Sequence, residues 1–203
     1  MTHERANEII AEASACMTSE PVSTSRVFLR PFSESDFEDY FEYASQRELQ
    51  RLSGNYEIST RAEAHESFDF ILKQNRELMT RFAIVFKETG KVIGNFCINI
   101  YPFLMTDEAL GRKKGISISL VLNERFQRRG LMTELLKRVI SFFLIEHGFD
   151  YVNSGYFWFN EGSRKIQERA GMKPYMDHIF KLNGKDILVN EMIVFREDVI
   201  GRN

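Results

Sequence analysis

Gln127-Arg128-Arg129-Gly130-Leu131-Met132 is the stretch whose reading decides the fold, because one periodicity stops there and another begins. Ahead of it, Gly115-Ile116-Ser117-Ile118-Ser119-Leu120-Val121-Leu122 alternates apolar and small polar residues, the pattern of a half-buried strand. Behind it, Leu131, Leu135, Val139 and Phe142 recur at helical spacing, and Met132, Leu136, Ile140 and Phe143 form a parallel row. A strand that feeds a helix through a short basic loop makes a seat for phosphate. The first N–H groups of a helix lack partners inside it and lie at the positive end of its dipole. Gly130 brings no Cβ, so a ligand can approach the backbone, and Arg125, Arg128 and Arg129 carry charge suited to a pyrophosphate. A turn glycine inside a solvated arginine rim would have the same local sequence. The chain contains neither G-x-G-x-x-G nor G-x-x-x-x-G-K-[ST], so the two common nucleotide loops are excluded.

Working outward, residues 1–22 read as a leader that is flexible or a short helix, since an unattached helix of that length is unstable in water. On this reading the leader is removable at little cost to the fold, unless it packs in an oligomer. Residues 23–203 form one domain. Arg26–Arg30 reads as a strand; Ser33 with Asp36 opens a helix carrying Phe37, Tyr40 and Phe41. Thr60-x-x-Glu63 is a capping box for a second helix with Phe68, Ile71 and Leu72 inward. Strands over 82–86 and 92–101 meet at the turn Glu88-Thr89-Gly90-Lys91, and 102–114 is a loop. The helix after Gly130 runs to about 147, where Gly148 stops it. A strand over 151–159, a helix over 160–170 and a hairpin around Asn183-Gly184 complete the chain. The order is mixed α/β with a largely antiparallel first half, and 116–159 is a strand–helix–strand crossover whose strands lie parallel.

Composition excludes several classes. The 203 residues are 43% hydrophobic and 28% charged, an ordinary globular balance, and 18 Phe predict a Phe-rich core. A net charge of −2 gives no reason to expect nucleic acid as a bulk partner. Cys16 and Cys97 are the only cysteines, one in the leader and one in a strand, and the four histidines are scattered, so a disulfide or metal site has little support. No run of 18 apolar residues and no signal-type segment occurs, which makes the cytoplasm the default location and a membrane role unsupported.

Three segments resemble one family. Leu122 to Glu134 is similar to the acyl-CoA pyrophosphate loop of the GNAT N-acetyltransferase superfamily, [QR]-x-x-G-x-[GA], with Gln127 and Gly130 at its first two fixed positions and Met132 in place of Gly or Ala. Asn160 to Met172 resembles N-x-x-S-x-x-[VI]-x-[EQ]-[KR]-x-G-[FM], the second cofactor motif of the ribosomal-protein-alanine acetyltransferase (RimJ/RimL-like) branch. Arg26 to Phe37 resembles that branch's opening T-x-R-L-x-L-R-P-x-x-x-x-D. Together they cover roughly residues 24–198 in the family's order.

The resemblance implies the GNAT fold: an α+β arrangement with a mixed, mostly antiparallel sheet of about seven strands, two of them parallel and splayed, flanked by helices. It implies acetyl-CoA as cosubstrate, no metal, and transfer of acetyl to a primary amine by direct attack, the amine being a protein N-terminus or a small molecule. A homodimer is compatible with it. Leu120 and Leu122 would then supply backbone groups to the pantetheine. Gln127, Arg128, Arg129, Gly130, Leu131, Met132 and Thr133 would hold the pyrophosphate, and Asn160 and Ser163 would face the pantetheine arm. An attacking amine must be neutral, the oxyanion needs a donor and the leaving thiolate needs a proton. Many relatives have a glutamate where this chain has Ser117, and a tyrosine donor where it has Gln167. The branch's serine donor falls on Ser163, although a serine in a first helical turn also bonds its own backbone. Glu57 and Ser117 are the candidates for deprotonating the amine, directly or through water. Tyr56, Tyr101, Phe103, Tyr156 and Trp158 are candidate linings for an acceptor pocket. A non-catalytic acyl-CoA sensor and, less favoured by the charge balance, a nucleic-acid binder are the readings from other classes.

Overall fold

The computed structural model describes residues 1–54, 57–100, 107 and 109–201. Seven strands form one sheet: β1 (Val27–Pro31), β2 (Arg81–Phe86), β3 (Val92–Asn99), β4 (Gly115–Leu122), β5 (Tyr151–Phe157), β6 (Lys173–Leu182) and β7 (Lys185–Phe195). Their order is β1-β2-β3-β4-β5-β7-β6. Every pairing is antiparallel except β4 with β5, which is parallel, as the crossover reading expects. Each strand puts alternate residues on alternate faces. On β4, Ile116, Ile118 and Leu122 therefore join one apolar layer, while Ser117, Ser119 and Val121 face the other way.

Helices cover both faces. On the first face lie α1 (His3–Ser19) and α5 (Leu131–Ser141), packed into the larger core with Phe82, Phe96 and Ile116. On the second lie α2 (Phe37–Ala44), α3 (Arg47–Ser53) and α4 (Arg61–Glu77), over a smaller core with Tyr40, Tyr43 and Phe68. Helix α6 (Glu161–Arg169) follows β5, and α7 (Arg196–Ile200) follows β7.

The opening motif has a clear physical basis. Arg30 makes two hydrogen bonds to the Asp36 carboxylate, at 2.6 and 2.8 Å, and Asp36 Oδ2 also accepts from the Ser33 N–H. The strand is thereby pinned to the turn that starts α2. Thr60 and Glu63 form the expected reciprocal cap on α4. Asn183 and Gly184 both have positive φ, 50° and 76°, as a tight hairpin between β6 and β7 requires.

Three expectations change. Residues 3–19 are neither flexible nor marginal: they form α1, and Ile9, Ala13 and Met17 are almost wholly buried, so tertiary packing supplies what the isolated helix lacks. Helix α3 was not expected, because Arg47–Ser53 offers only Leu49 and Leu52 as apolar positions. The helix after Gly130 does not run as one α-helix to residue 147. It changes at Phe142–Glu146 to a π turn. Phe142, Phe143 and Leu144 are all buried, and three consecutive residues do not fit the inward stripe of a regular α-helix.

Candidate active site

The parallel pairing of β4 with β5 stops early. It runs from Gly115 opposite Tyr151 to Ser117 opposite Asn153 and goes no further. Beyond that rung β4 keeps its antiparallel partner β3, and β5 keeps β7. A gap therefore opens between two central strands. Ser119 is exposed and Leu120 half-buried, although both sit in the middle of a seven-stranded sheet.

The loop below the gap is built for an anion. After a 3-10 turn over Glu124–Phe126, Arg128 takes φ 60° and Gly130 takes φ 76°. The first helical bond of α5 runs from the Glu134 N–H to the Gly130 carbonyl, leaving Leu131, Met132 and Thr133 N–H groups ahead of the ladder. Gly130, the N-cap, has no side chain to satisfy them. Leu131 and Met132 turn their side chains into the core, so the larger residue at position 132 does not stand over the loop. Arg26 holds the loop from β1's side, donating to the Arg129 carbonyl and to Glu134. Burial would raise the Glu134 carboxyl, but hydrogen bonds from Thr24, Arg26 and Ser25 bring it down to about 2.

The loop's polar side chains divide the work differently from the expectation. Gln127 Nε2 donates to the Leu122 carbonyl at 2.9 Å, so it closes the loop on itself. Arg125 pairs with Glu42, and the Arg129 guanidinium lies over the Phe126 ring. Among the described residues neither Arg128 nor Arg129 has a carboxylate partner.

Across the gap, the Ser163 N–H donates to Asn160 Oδ1 at 3.0 Å, and Asn160 Nδ2 donates to the Leu52 carbonyl. Asn160 is thus a cap for α6 and a tether to α3. Ser163 Oγ accepts from Gln167 Nε2 at 2.9 Å. Gln167 is 2% exposed and its Oε1 has no partner. A hydroxyl that accepts from an amide keeps its own proton to give away. The sequence marked Gln167 only as a missing tyrosine; its bond to Ser163 could be found from the i, i+4 spacing alone.

On the second face, Ser117 is fully buried and donates to Asn153 Oδ1 at 2.6 Å. It has no open surface on which to order a water, so that expectation does not hold. Glu57 is exposed, next to Ile58, whose carbonyl accepts from Gln50. Of the aromatic candidates, Tyr56, Tyr101 and Phe103 lie outside the described residues. Trp158 is exposed, and Tyr156 packs with the first-face core. Burial pushes the Cys97 thiol up, away from the thiolate a nucleophile needs.

A buried carboxylate that sequence reasoning did not single out lies beside the gap. Glu191 of β7 is 2% exposed, and its carboxylate lies over Gly155 of β5, where a Cβ would come within 2.6 Å of it. His178 Nε2 meets Oε1 at 2.9 Å, while Oε2 has no hydrogen-bond partner. Burial pushes the carboxyl above its ordinary value, against the pull of His178 and of Asn153, whose Nδ2 is spent on the Met192 carbonyl. A carboxyl raised by folding stabilises the fold fully below its unfolded value, and that stability is lost as pH rises through the folded value. Glu191→Gln is therefore expected to melt a few degrees above wild type at about pH 8 and level with it near pH 4. Thermal melts across that range check this; equal melting temperatures at the higher pH would contradict it.

Comparison with known proteins agrees with this geometry. The model of the acetyltransferase (GNAT) domain matches residues 26–173. No curated protein matches the sequence. Among solved structures, a GCN5-related N-acetyltransferase from Brucella melitensis has 20% identity and a TM-score of 0.72, covering 88% of this chain and 80% of its own. The Vibrio cholerae spermidine N-acetyltransferase, in complex with CoA and spermine, has 14% identity and a TM-score of 0.65, covering 87% and 99%. The RimL ribosomal L7/L12 alpha-N-protein acetyltransferase, in complex with coenzyme A, has 15% identity and a TM-score of 0.66, covering 87% and 98%. With the family's domain matched over most of its length, the chain belongs to the GNAT family of acetyltransferases.

Proposed function

We propose that this protein transfers an acetyl group from acetyl-CoA to a primary amine by direct attack within a ternary complex. The observation that carries this reading is the coincidence of the β4–β5 gap with the open helix start at Leu131. The diphosphate rests on the N–H groups of Leu131, Met132 and Thr133, beside Gly130 and within reach of Arg128. The pantetheine runs along the unpaired edge of β4 near Leu120, which offers the backbone groups that β5 no longer uses. A β4 N–H steadies the oxyanion, and Ser163 gives its proton to the departing thiolate. Gln167 donates to Ser163 Oγ, so the hydroxyl proton is not spent on that bond. Glu57, exposed at the segment leading into α4, takes the proton from the acceptor ammonium directly or through water.

Two named relatives act on spermidine and on a ribosomal protein. The same scaffold therefore serves small amines and protein N-termini, and both classes belong in the test. Thiol release from acetyl-CoA, measured over peptides, amino acids, polyamines and aminoglycosides, tests the reading. Coenzyme binding without release on any amine would instead favour a sensor.

Ser163→Ala is expected to lower kcat about 100-fold while the Kd for CoA changes less than about twofold. Gln167→Leu should lower kcat by a smaller factor, and the double variant should be no slower than Ser163→Ala alone, because both act through one proton. Additive losses would show that Gln167 acts independently of Ser163.

A further inference from the structure

The second face of the sheet carries a charge that the acetyl-CoA site does not use. Arg81 opens β2 and stands opposite Cys97 of β3, which stands opposite Ser119 of β4. These three residues form one rung across three strands, with their side chains on the same face. The rung ends at the exposed serine immediately past the point where β4 and β5 part. Arg81 and the gap are therefore about two strand spacings apart, roughly 10 Å, less the reach of the arginine.

Arg81 also lines a cavity of ≈ 170 Å³ enclosed by α2, α3, α4 and the sheet. That is an order of magnitude above the ~10–15 Å³ needed to hold one water. Among the described residues that line it, Arg81 is the only charged one. Among the described residues its guanidinium meets no carboxylate and lies over no aromatic ring, although it is half-buried. Tyr43 donates its hydroxyl to Asn95 Oδ1, which leaves the Asn95 Nδ2 hydrogens for the cavity. Gln50, by contrast, spends its Nε2 on the Ala44 and Ile58 carbonyls, closing the far wall. The arginine's backbone is fixed from both sides by Asn75, whose Oδ1 accepts the Arg81 N–H and whose Nδ2 donates to the Arg81 carbonyl. A partly desolvated cation held in place, with the Asn95 amide as a donor and, among the described residues, no acid beside it, is a seat for an anion.

We infer that the acceptor is an amine bearing its own carboxylate, which Arg81 and Asn95 bind while the amine enters the gap at Ser119. The inference rests on the acetyl-transfer reading and narrows its substrate class. A polyamine would bring a second cation toward Arg81 and is disfavoured for the same reason. The carboxylate could belong to a free amino acid or to an acidic side chain near a peptide N-terminus. The chemistry at Arg81 is the same for both.

The test is binding to the CoA-saturated protein by calorimetry, which does not require turnover. Two matched pairs serve as probes: lysine against cadaverine, and Ala-Glu-Ala amide against Ala-Gln-Ala amide. At least one carboxylate probe is expected to bind wild type about tenfold or more tightly than its twin without that carboxylate. The member that shows the preference tells amino acid from peptide. The preference should vanish in Arg81→Met and largely persist in Arg81→Lys, with CoA affinity unchanged in both. Absence of any preference in wild type, or its survival in Arg81→Met, would overturn the inference. Should Arg81→Met fail to bind CoA, loss of the preference in Arg81→Ala or its retention there decides in the same way. A protein that shows the preference but releases no thiol would keep the carboxylate site at Arg81 and lose the acetyl-transfer reading.

Discussion

Deletion of residues 1–22 is expected to abolish cooperative folding or to lower the urea midpoint severely. In α1, Ile9 is 1%, Ile10 8% and Met17 3% exposed, and all three join the core that includes Phe82, Phe96 and Ile116. Full burial of one such side chain is worth about 1.5–3 kcal/mol. Three give roughly 5–9 kcal/mol as an upper estimate, which is comparable with the whole stability of an ordinary domain, about 5–15 kcal/mol. Removal also uncovers the strand side chains that α1 shields, a loss outside that sum. Urea unfolding of the truncated chain followed by circular dichroism measures the effect. A midpoint close to that of the full chain would show that α1 is an accessory.

The second large effect is on ligand binding. Gly130→Glu places a carboxylate at the N-cap of α5, where the diphosphate is proposed to rest, and reverses the sign of the local field. Affinity for CoA is expected to fall at least about 100-fold. The backbone at this position has φ 76°, so any side chain here adds about 1–2 kcal/mol of strain. Gly130→Ala carries that strain without the charge, and its Cβ would meet only Arg26 Nη2, at an ordinary 3.5 Å. Alanine should therefore lower the melting temperature about as much as glutamate while retaining much of the CoA affinity. Calorimetry on the two variants separates the causes; equal loss of affinity would assign the effect to loop shape rather than charge.

The parts of the fold legible in the sequence are those where a local signal is sufficient. Alternation in Gly115–Leu122, the Thr60/Glu63 cap, the Asn183-Gly184 turn and the glycine before α5 each specify their element within a few residues. The gap in the sheet was reached through family resemblance, since nothing in the residues of β4 or β5 states that their pairing ends at Ser117. Of the two alternatives for the leader the helix is the one formed, and its packing was not legible because the docking surface is formed by distant strands. The site follows the same division. Gly130 and Ser163 were visible as motif positions. Arg26, Arg81 and Glu191 were not, because each acquires its meaning from partners at least 13 positions away in the chain: Glu134, Ser119 and His178. The commitments of Gln127 and Asn160 were likewise hidden, since both use their amides on backbone carbonyls that only the folded chain brings near.

The most direct measurement is a crystal structure of the full chain with acetyl-CoA. The expected result has diphosphate oxygens accepting from the Leu131, Met132 and Thr133 N–H groups, with the thioester in the gap between β4 and β5 beside Ser163. Coenzyme bound on another surface, or none bound at saturating concentration, would contradict the account.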